Sequence, residues 1–228
     1  EQLDLSMTRK DIESAGQRVA VLNTYPDLTH PDSAERRRQF DELQADIVVA
    51  AELGAEMVRV TAGQAHPGIN RDVGVARAVE GLLRSEKTSE KCGVMLVYEN
   101  HSKPGIWDYP DFSYPSDVFL EIAAGLRSSG IRILFDTANP VSQGHDPLSV
   151  LERVMDRVSC VHAADTSACG VMDWVLVGSG AVPFNELFFS LKRSGYNGWI
   201  SIEEASGQGR SGMEAAVEFI RKTWGQAR

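Results

Sequence analysis

Six short apolar runs recur along the chain, each bounded by polar or turn-forming residues. Most are apolar almost without interruption, which is typical of parallel strands covered on both faces. Helical patterns separate the runs, so the chain predicts alternating strands and helices around a parallel sheet. The predicted strands cover residues 18–25, 56–63, 93–100, 131–139, 157–165 and 198–205.

Several of the intervening helices carry recognisable ends. The helix after the first strand has one apolar stripe, and Gly54 is placed to end it. A later helix is expected to begin with Asp146 as N-cap and Pro147 at its first position. The segment PFNELFFSLKRSG is expected to end its helix at Gly195. These ends support a regular succession of βα units.

The number of strands leaves two architectures open. A closed (β/α)8 barrel needs eight strands and about 250 residues, whereas this chain has 228 residues and six predicted strands. The sheet is therefore either open and doubly wound, or part of a barrel whose first two units are absent. No linker or composition shift interrupts the pattern, so we expect residues 1–228 to form a single domain.

Composition narrows the function classes. The net charge is −9 and the sequence pI is near 5.1, and such a surface disfavours a nucleic-acid partner. No apolar run approaches the roughly 20 residues of a membrane span. The three cysteines lack CxxC spacing, which indicates reduced thiols and a cytoplasmic location. The chain opens on EQLDLS without methionine, so we expect the true N-terminus to lie outside the sequence shown.

Each of the last four predicted strands ends in a metal-ligand residue: Glu99, Asp136, His162 and Glu203. Taken singly, each acidic residue fits a helix cap or a surface charge, and His162 fits a histidine of the core. Their successive separations of 37, 26 and 41 residues are each roughly one βα unit, so all four are expected at one rim of the sheet. Three carboxylates and an imidazole suit Mn²⁺, Mg²⁺, Co²⁺ or Zn²⁺. The residues alone do not choose between Glu203 and its neighbour Glu204.

An ordered set of motifs runs through the chain, including ELGAEMVRV, VMLVYENH, ILFDTAN and CVHAAD, and the terminal GYNGWISIEEAS. Together they resemble the xylose isomerase-like TIM-barrel superfamily of sugar isomerases and epimerases. The resemblance implies a (β/α)8 TIM barrel whose first two strands are absent from the chain shown. It also implies that the four ligands lie on barrel strands five to eight, and it favours Glu203 over Glu204.

The resemblance implies a divalent-metal-dependent isomerase or epimerase acting on a keto-sugar or related polyol through an enediolate. Glu99 and Glu203 would exchange the substrate proton. The expected partner is a small sugar, with no nucleic acid and no membrane, and a homo-oligomer is left open. Trp107 and Tyr109 fit either a lid or a structural aromatic cluster. The residues expected to contact substrate are Asn23, His66, Asn100, His101, Asn139 and Asp165.

Two departures from the family pattern keep alternatives open. Asn139 stands where active epimerases often carry histidine, and Ala164 stands where other members carry lysine. One alternative is a lyase like the inosose dehydratases, using the same metal site. Another is a barrel that binds sugar without turnover. A related endonuclease is disfavoured, because the chain has only five histidines and is acidic.

Overall fold

The structure is a computed structural model that describes residues 4–103 and 105–227. The chain divides into two compact units, which are described separately. Unit 1 comprises residues 1–114 and 121–132, and unit 2 comprises residues 115–120 and 133–228. Whether the chain acts as a single domain stays a prediction.

Unit 1 alternates helices and strands. Its elements are α1 (Leu5–Ser14), β1 (Val21–Asn23), α2 (Ser33–Glu52), β2 (Met57–Val60), α3 (Arg71–Cys92) and β3 (Met95–Glu99). The next two elements, α4 (Ser116–Gly125) and β4 (Arg132–Asp136), include residues of both units. Unit 2 continues with α5 (Ala138–Ser142), α6 (Pro147–Val154), a 3₁₀ turn (Met155–Arg157), β5 (Val158–Ala163), α7 (Phe184–Arg193), β6 (Trp199–Ile202) and α8 (Gly209–Gln226).

The strands of unit 1 form a parallel sheet in chain order. β1 pairs with β2, and β2 pairs with β3. All four residues of β2 are buried, including Arg59. A strand buried on both faces explains the uninterrupted apolar pattern, and it makes the charge of Arg59 an exception that requires a partner.

The strands of unit 2 also pair in parallel and in chain order. β4 pairs with β5 and β5 with β6, with Asp136 opposite His162 and His162 opposite Ser201. This register aligns the carboxyl ends of the three strands. Side chains that follow neighbouring strand ends are thereby brought to one edge of the sheet.

The predicted helix ends agree with the structure. α2 ends at Glu52, and Gly54 follows with a φ of +73°. Asp146 accepts a hydrogen bond from Leu148 N at 3.0 Å, with Pro147 at the first helical position. Gly195 has a φ of +77° just past α7. A left-handed backbone costs glycine little, so both glycines end their helices as expected.

The predicted strands were too long, and the run at 131–139 shows why. Its last residues belong to α5 rather than to a strand. Asp136 Oδ1 accepts hydrogen bonds from Ala138 N and Asn139 N, at 2.9 and 2.7 Å. The carboxylate therefore turns the chain out of the sheet directly after β4, which an apolar pattern alone does not indicate.

Two further predictions concern the whole chain. No disulfide joins Cys92, Cys160 and Cys169 in the part of the chain that the structure describes. Among residues 4–103 and 105–227, no helix combines the length and apolarity needed to cross a membrane.

Candidate functional site

Asp136, His162 and Glu203 come together in unit 2. Each offers one possible ligand atom, and these atoms lie within 4.8 Å of one another. His162 Nδ1 lies 3.2 Å from Glu203 Oε2. Asp136 and His162 are 1 and 2% exposed, whereas the Glu203 side chain is 52% exposed. Asp136 and His162 are therefore shielded from solvent, and Glu203 is the member of the group that solvent and small molecules can reach.

The strand ends position these three side chains. Asp136 is the last residue of β4, and two backbone amides orient its Oδ1 as described above. His162 lies within β5, opposite Asp136. Glu203 follows β6 directly, and its amide donates to Ala163 O at 3.1 Å. Parallel pairing thus places the three side chains without help from any long loop.

Glu204 points to a different environment from Glu203. Its Oε1 accepts a hydrogen bond from Ser206 N at 3.0 Å. A Cβ built on Gly212 of α8 would lie 3.1 Å from Glu204 Oε2. Glu203 therefore joins His162, while Glu204 faces the start of α8.

Glu99 ends β3 in unit 1 and is 1% exposed. Its Oε2 lies 3.1 Å from Arg59 Nε, and the Arg59 side chain is 2% exposed. Arg59 also donates from Nη1 to Thr24 O at 2.7 Å, and its guanidinium lies 4.1 Å from the centre of the Tyr25 ring. Arg59 therefore contacts a carboxylate, a backbone carbonyl and an aromatic ring, which gives this buried charge partners on three sides.

The residues after Glu99 are also buried. Asn100 is 5% and His101 8% exposed. His101 Nδ1 lies 3.6 Å from Asp111 Oδ2. Burial raises the pKa of the Asp111 carboxyl, and the nearby His101 and Ser113 oppose that rise. Burial also raises the pKa of the Tyr98 hydroxyl well above its usual value, with the charge of Asp111 adding to the effect.

The aromatic residues of the following loop belong to a packed cluster. Trp107 is 7% exposed, and its ring lies 6.1 Å from Tyr25 and 6.0 Å from His101, measured between centroids. The Tyr109 ring lies 5.4 Å from the His66 ring. This geometry favours the structural cluster over a mobile lid.

The other residues expected to contact substrate differ in exposure. Asn23 ends β1 and is exposed, while Asn139 lies in α5 and is 4% exposed. His66 is half-buried on the loop after β2, where its Nε2 lies 2.7 Å from Asp27 Oδ2. Substrate contact by these residues stays a prediction.

Asp165 is surrounded by backbone amides. Its Oδ1 accepts from Thr166 N and Val182 N, at 2.9 and 3.1 Å. Its Oδ2 accepts from Gly178 N and Gly180 N, both at 2.9 Å. A Cβ on Gly180 would lie 2.2 Å from Thr166 O. Asp165 thus organises the Gly-x-Gly turn, and its role at substrate stays a prediction.

Sequence reasoning missed two groups. Arg59 received no role, although a charged residue inside the apolar run MVRV signals a buried partner. Asp27 and His30 were also overlooked, although the polar segment PDLTHPD follows a strand end. Loops at that end of parallel strands commonly carry function.

Comparisons with known proteins agree on the fold. The family model described as xylose isomerase-like TIM barrel matches residues 1–223. The IOLI protein, whose crystal structure has a binding zinc atom, superposes with a TM-score of 0.85. That match covers 100% of this chain and 84% of the other at 15% identity, so it shows the fold alone. The predicted TIM-barrel fold is confirmed, and the described residues contain six of its strands.

Two curated relatives carry names of enzymes. "Putative hydroxypyruvate isomerase" of Streptomyces coelicolor is 26% identical over 219 residues, covering 91% of this chain and 76% of the relative. "Inosose dehydratase" of Lacticaseibacillus casei is 24% identical over 143 residues, covering 56% of this chain and 46% of the relative. The second match thus spans less than half of that relative. A cytoplasmic location and an oligomer stay predictions.

Proposed function

The chain belongs to the xylose isomerase-like TIM-barrel family, and on that premise we propose that it is a divalent-metal-dependent isomerase or epimerase of a keto-sugar or related polyol. The observation that carries the proposal is the convergence of Asp136, His162 and Glu203. The relative named for hydroxypyruvate isomerisation, matched along most of the chain, supports the isomerase class.

The donor set fits a divalent cation. Two carboxylates and one imidazole supply oxygen and nitrogen ligands that suit Mn²⁺, Mg²⁺, Co²⁺ or Zn²⁺. The 3.2 Å between His162 Nδ1 and Glu203 Oε2 lies within the roughly 3.0–3.4 Å that separates neighbouring ligand atoms around an octahedral or tetrahedral ion of this kind. Glu99 is the proposed fourth ligand, because it is a buried carboxylate at a strand end, beside the guanidinium of Arg59.

The chemistry requires proton transfer at a carbon next to a carbonyl. When bound, the cation would act as a Lewis acid on adjacent oxygens of the substrate. Glu203 is half exposed and can reach a bound sugar, while Glu99 is buried beside Arg59. One would remove the proton and the other return it. Bases on opposite faces give epimerisation, and a single base that moves the proton between carbons gives isomerisation.

Residues next to the proposed bases would orient the sugar. Asn100 and His101 directly follow Glu99 in the sequence, and both side chains are buried. They are therefore proposed substrate contacts. Asn23 and Asn139 are weaker candidates for the same task. Asp165 would act through the Gly-x-Gly turn that its carboxylate holds.

Hydrogen exchange in D₂O tests the proposal. The metal-loaded full chain is incubated with hydroxypyruvate, a panel of ketoses and a keto-inositol, and deuterium in recovered substrate and product is measured by mass spectrometry. Incorporation at the carbon next to the carbonyl is expected for at least one compound. Sugar binding without any exchange would overturn the enzymatic proposal and favour a silent sugar-binding barrel.

Matched variants assign the bases. Glu203→Gln and Glu99→Gln are each expected to reduce exchange by a factor of about 100 or more. Glu204→Gln is the control, because glutamine keeps the oxygen that accepts from Ser206 N. Normal exchange in Glu99→Gln, or an equal loss in Glu204→Gln, would show that the bases are wrongly assigned.

A lyase on the same site is the second candidate, and the inosose dehydratase relative favours it. It would use the same proton abstraction and then expel hydroxide. Product analysis separates the two reactions, since only the lyase product has lost water.

A further inference from the structure

A second group of possible metal ligands lies within unit 1, on the loops that follow β1 and β2. Asp27, His30 and His66 each offer one ligand atom, and these atoms lie within 4.8 Å of one another. Asp27 is 3% exposed, whereas both histidines are half-buried. The group therefore combines a shielded carboxylate with two imidazoles that solvent can reach.

Neighbouring groups hold the Asp27 carboxylate in one orientation. Its Oδ1 accepts from Gln64 N at 3.0 Å and from Thr29 Oγ1 at 3.2 Å. Its Oδ2 accepts from Gln64 Nε2 at 3.0 Å. Carboxylates that bind metal ions in proteins are typically oriented by such hydrogen bonds. Asp27 thus differs from a solvated surface acid, whose side chain rotates freely.

Gly63 allows the two loops to approach this closely. Its φ is +122°, and an added Cβ would lie 2.6 Å from both Asp27 Oδ1 and Thr29 Oγ1. Any side chain at this position would displace the carboxylate or the loop. The backbone after β2 is therefore shaped around Asp27.

The two imidazoles lie against the same carboxylate. His66 Nε2 is 2.7 Å from Asp27 Oδ2, and the His30 and His66 rings meet edge to face with centroids 4.5 Å apart. His30 Nδ1 accepts from Asp32 N at 3.2 Å. An ion bound through that nitrogen would release an amide of an exposed residue, which water can satisfy.

We propose that Asp27, His30 and His66 form a separate Zn²⁺ site. Two imidazoles and one carboxylate with an open fourth position are a ligand set typical of zinc. Bond lengths near 2.0 Å place neighbouring ligand atoms of tetrahedral zinc roughly 3.3 Å apart. Rotation of the two imidazole rings can bring their nitrogens to this spacing. The site shares no residue with the cluster in unit 2, so it goes beyond the proposed function.

Zinc stoichiometry tests the proposal in the full chain. The variant Asp136→Asn/His162→Gln removes two ligands of the unit 2 cluster and serves as the background. It is titrated with Zn²⁺, and bound zinc is counted after gel filtration. One equivalent is expected, and adding His66→Gln or His30→Gln is expected to weaken binding roughly tenfold or more.

His145→Gln is the matched control, because His145 is an exposed histidine whose Nδ1 lies 2.9 Å from Ser116 Oγ, outside both groups. Co²⁺ titration of the background variant gives a visible absorption band that reports tetrahedral coordination. This band should disappear when His66→Gln is added to the background variant and should persist when His145→Gln is added. If the background variant does not fold, the wild-type chain should bind two equivalents of zinc and His66→Gln one.

Three results would overturn the proposal: no zinc bound by the folded background variant, an unchanged stoichiometry in His66→Gln, or an equal loss in His145→Gln. Circular dichroism identifies variants that have unfolded. Because these measurements do not use turnover, they remain informative whether or not the chain proves to be an isomerase.

Discussion

The two units hold their buried carboxylates in different ways. In unit 1 the partners are mainly side chains: Glu99 faces the guanidinium of Arg59, and Asp27 faces the imidazole of His66 and accepts from one backbone amide, that of Gln64. In unit 2, Asp136 Oδ1 accepts from two backbone amides, and Asp165 accepts from four. A side-chain partner balances the charge but can be lost by one substitution, whereas amides belong to the main chain and persist.

The difference separates two uses of a buried acid. Carboxylates held by amides fix the path of the chain, as Asp136 does at α5 and Asp165 does at the Gly-x-Gly turn, and for Asp136 this comes in addition to its proposed role as a metal ligand. Carboxylates held by charged or imidazole side chains keep a chemical state that depends on their partner. Two kinds of substitution therefore test this comparison: those that remove the side-chain partner of a carboxylate in unit 1, and those that remove a carboxylate oxygen that accepts from backbone amides in unit 2.

The largest effect on stability is expected for Arg59→Met, which removes the ion-pair partner of buried Glu99. An uncompensated buried charge costs about 3–5 kcal/mol in the free energy of unfolding, measured by urea denaturation. Arg18→Met is the control, because Arg18 pairs with Glu56 at 3.3 Å with 69% of its side chain exposed. That pair should contribute at most about 1 kcal/mol. Equal losses would contradict the role given to Arg59.

Asp165→Asn should lower the free energy of unfolding by about 2–3 kcal/mol. Asparagine replaces one carboxylate oxygen with an NH2 group, which cannot accept a hydrogen bond, so either the two glycine amides or the two amides on Oδ1 lose their acceptor. Asp146→Asn is the control and should change stability by less than about 0.5 kcal/mol, because asparagine caps helices equally well. A neutral Asp165→Asn in urea unfolding would refute the anchoring role.

Gly180→Ala should cost about 1–3 kcal/mol, because its Cβ would meet Thr166 O at 2.2 Å and force the turn apart. Gly225 of α8 has nothing within 4 Å of an added Cβ. Gly225→Ala should therefore stabilise the protein by up to about 1 kcal/mol through helix propensity. Thermal and urea unfolding should give opposite signs for the two variants, and the same sign would contradict this account.

The smallest effect is a pH dependence in unit 1. Burial raises the pKa of Asp111, so the folded state holds this proton more tightly than the unfolded state. The stability that Asp111 contributes is then greatest below its unfolded pKa of about 3.9 and declines as the pH rises through the folded pKa.

Comparison with Asp111→Asn isolates this dependence. The free energy of unfolding of wild type minus that of the variant should decrease with rising pH, by at most about 1.4 kcal/mol per pH unit. Urea unfolding from pH 4 upward in the presence of a chelator measures it. A difference that does not change with pH would show that His101 and Ser113 fully offset the burial of Asp111.

Much of the architecture could be predicted because it depends on local periodicity. Apolar runs located the six strands that the described residues form, and Gly54 and Pro147 located helix ends. Asp136, His162 and Glu203 could be placed together before the structure was known, since consecutive parallel strands end at one edge of the sheet. The strand lengths could not be predicted, because the Asp136 carboxylate ends β4 by binding amides that an apolar pattern does not register.

The sequence by itself determined the succession of strands and helices, the family, and which residue types follow each strand. Only the tertiary structure decided which partner each buried charge has: Arg59 for Glu99, Gln64 and His66 for Asp27, and the Gly-x-Gly turn for Asp165. These partners lie 13 to 40 residues apart in the chain. The physical reason is that hydrophobic periodicity depends on near neighbours, whereas the stabilisation of a buried charge depends on the few atoms that folding places within about 3 Å.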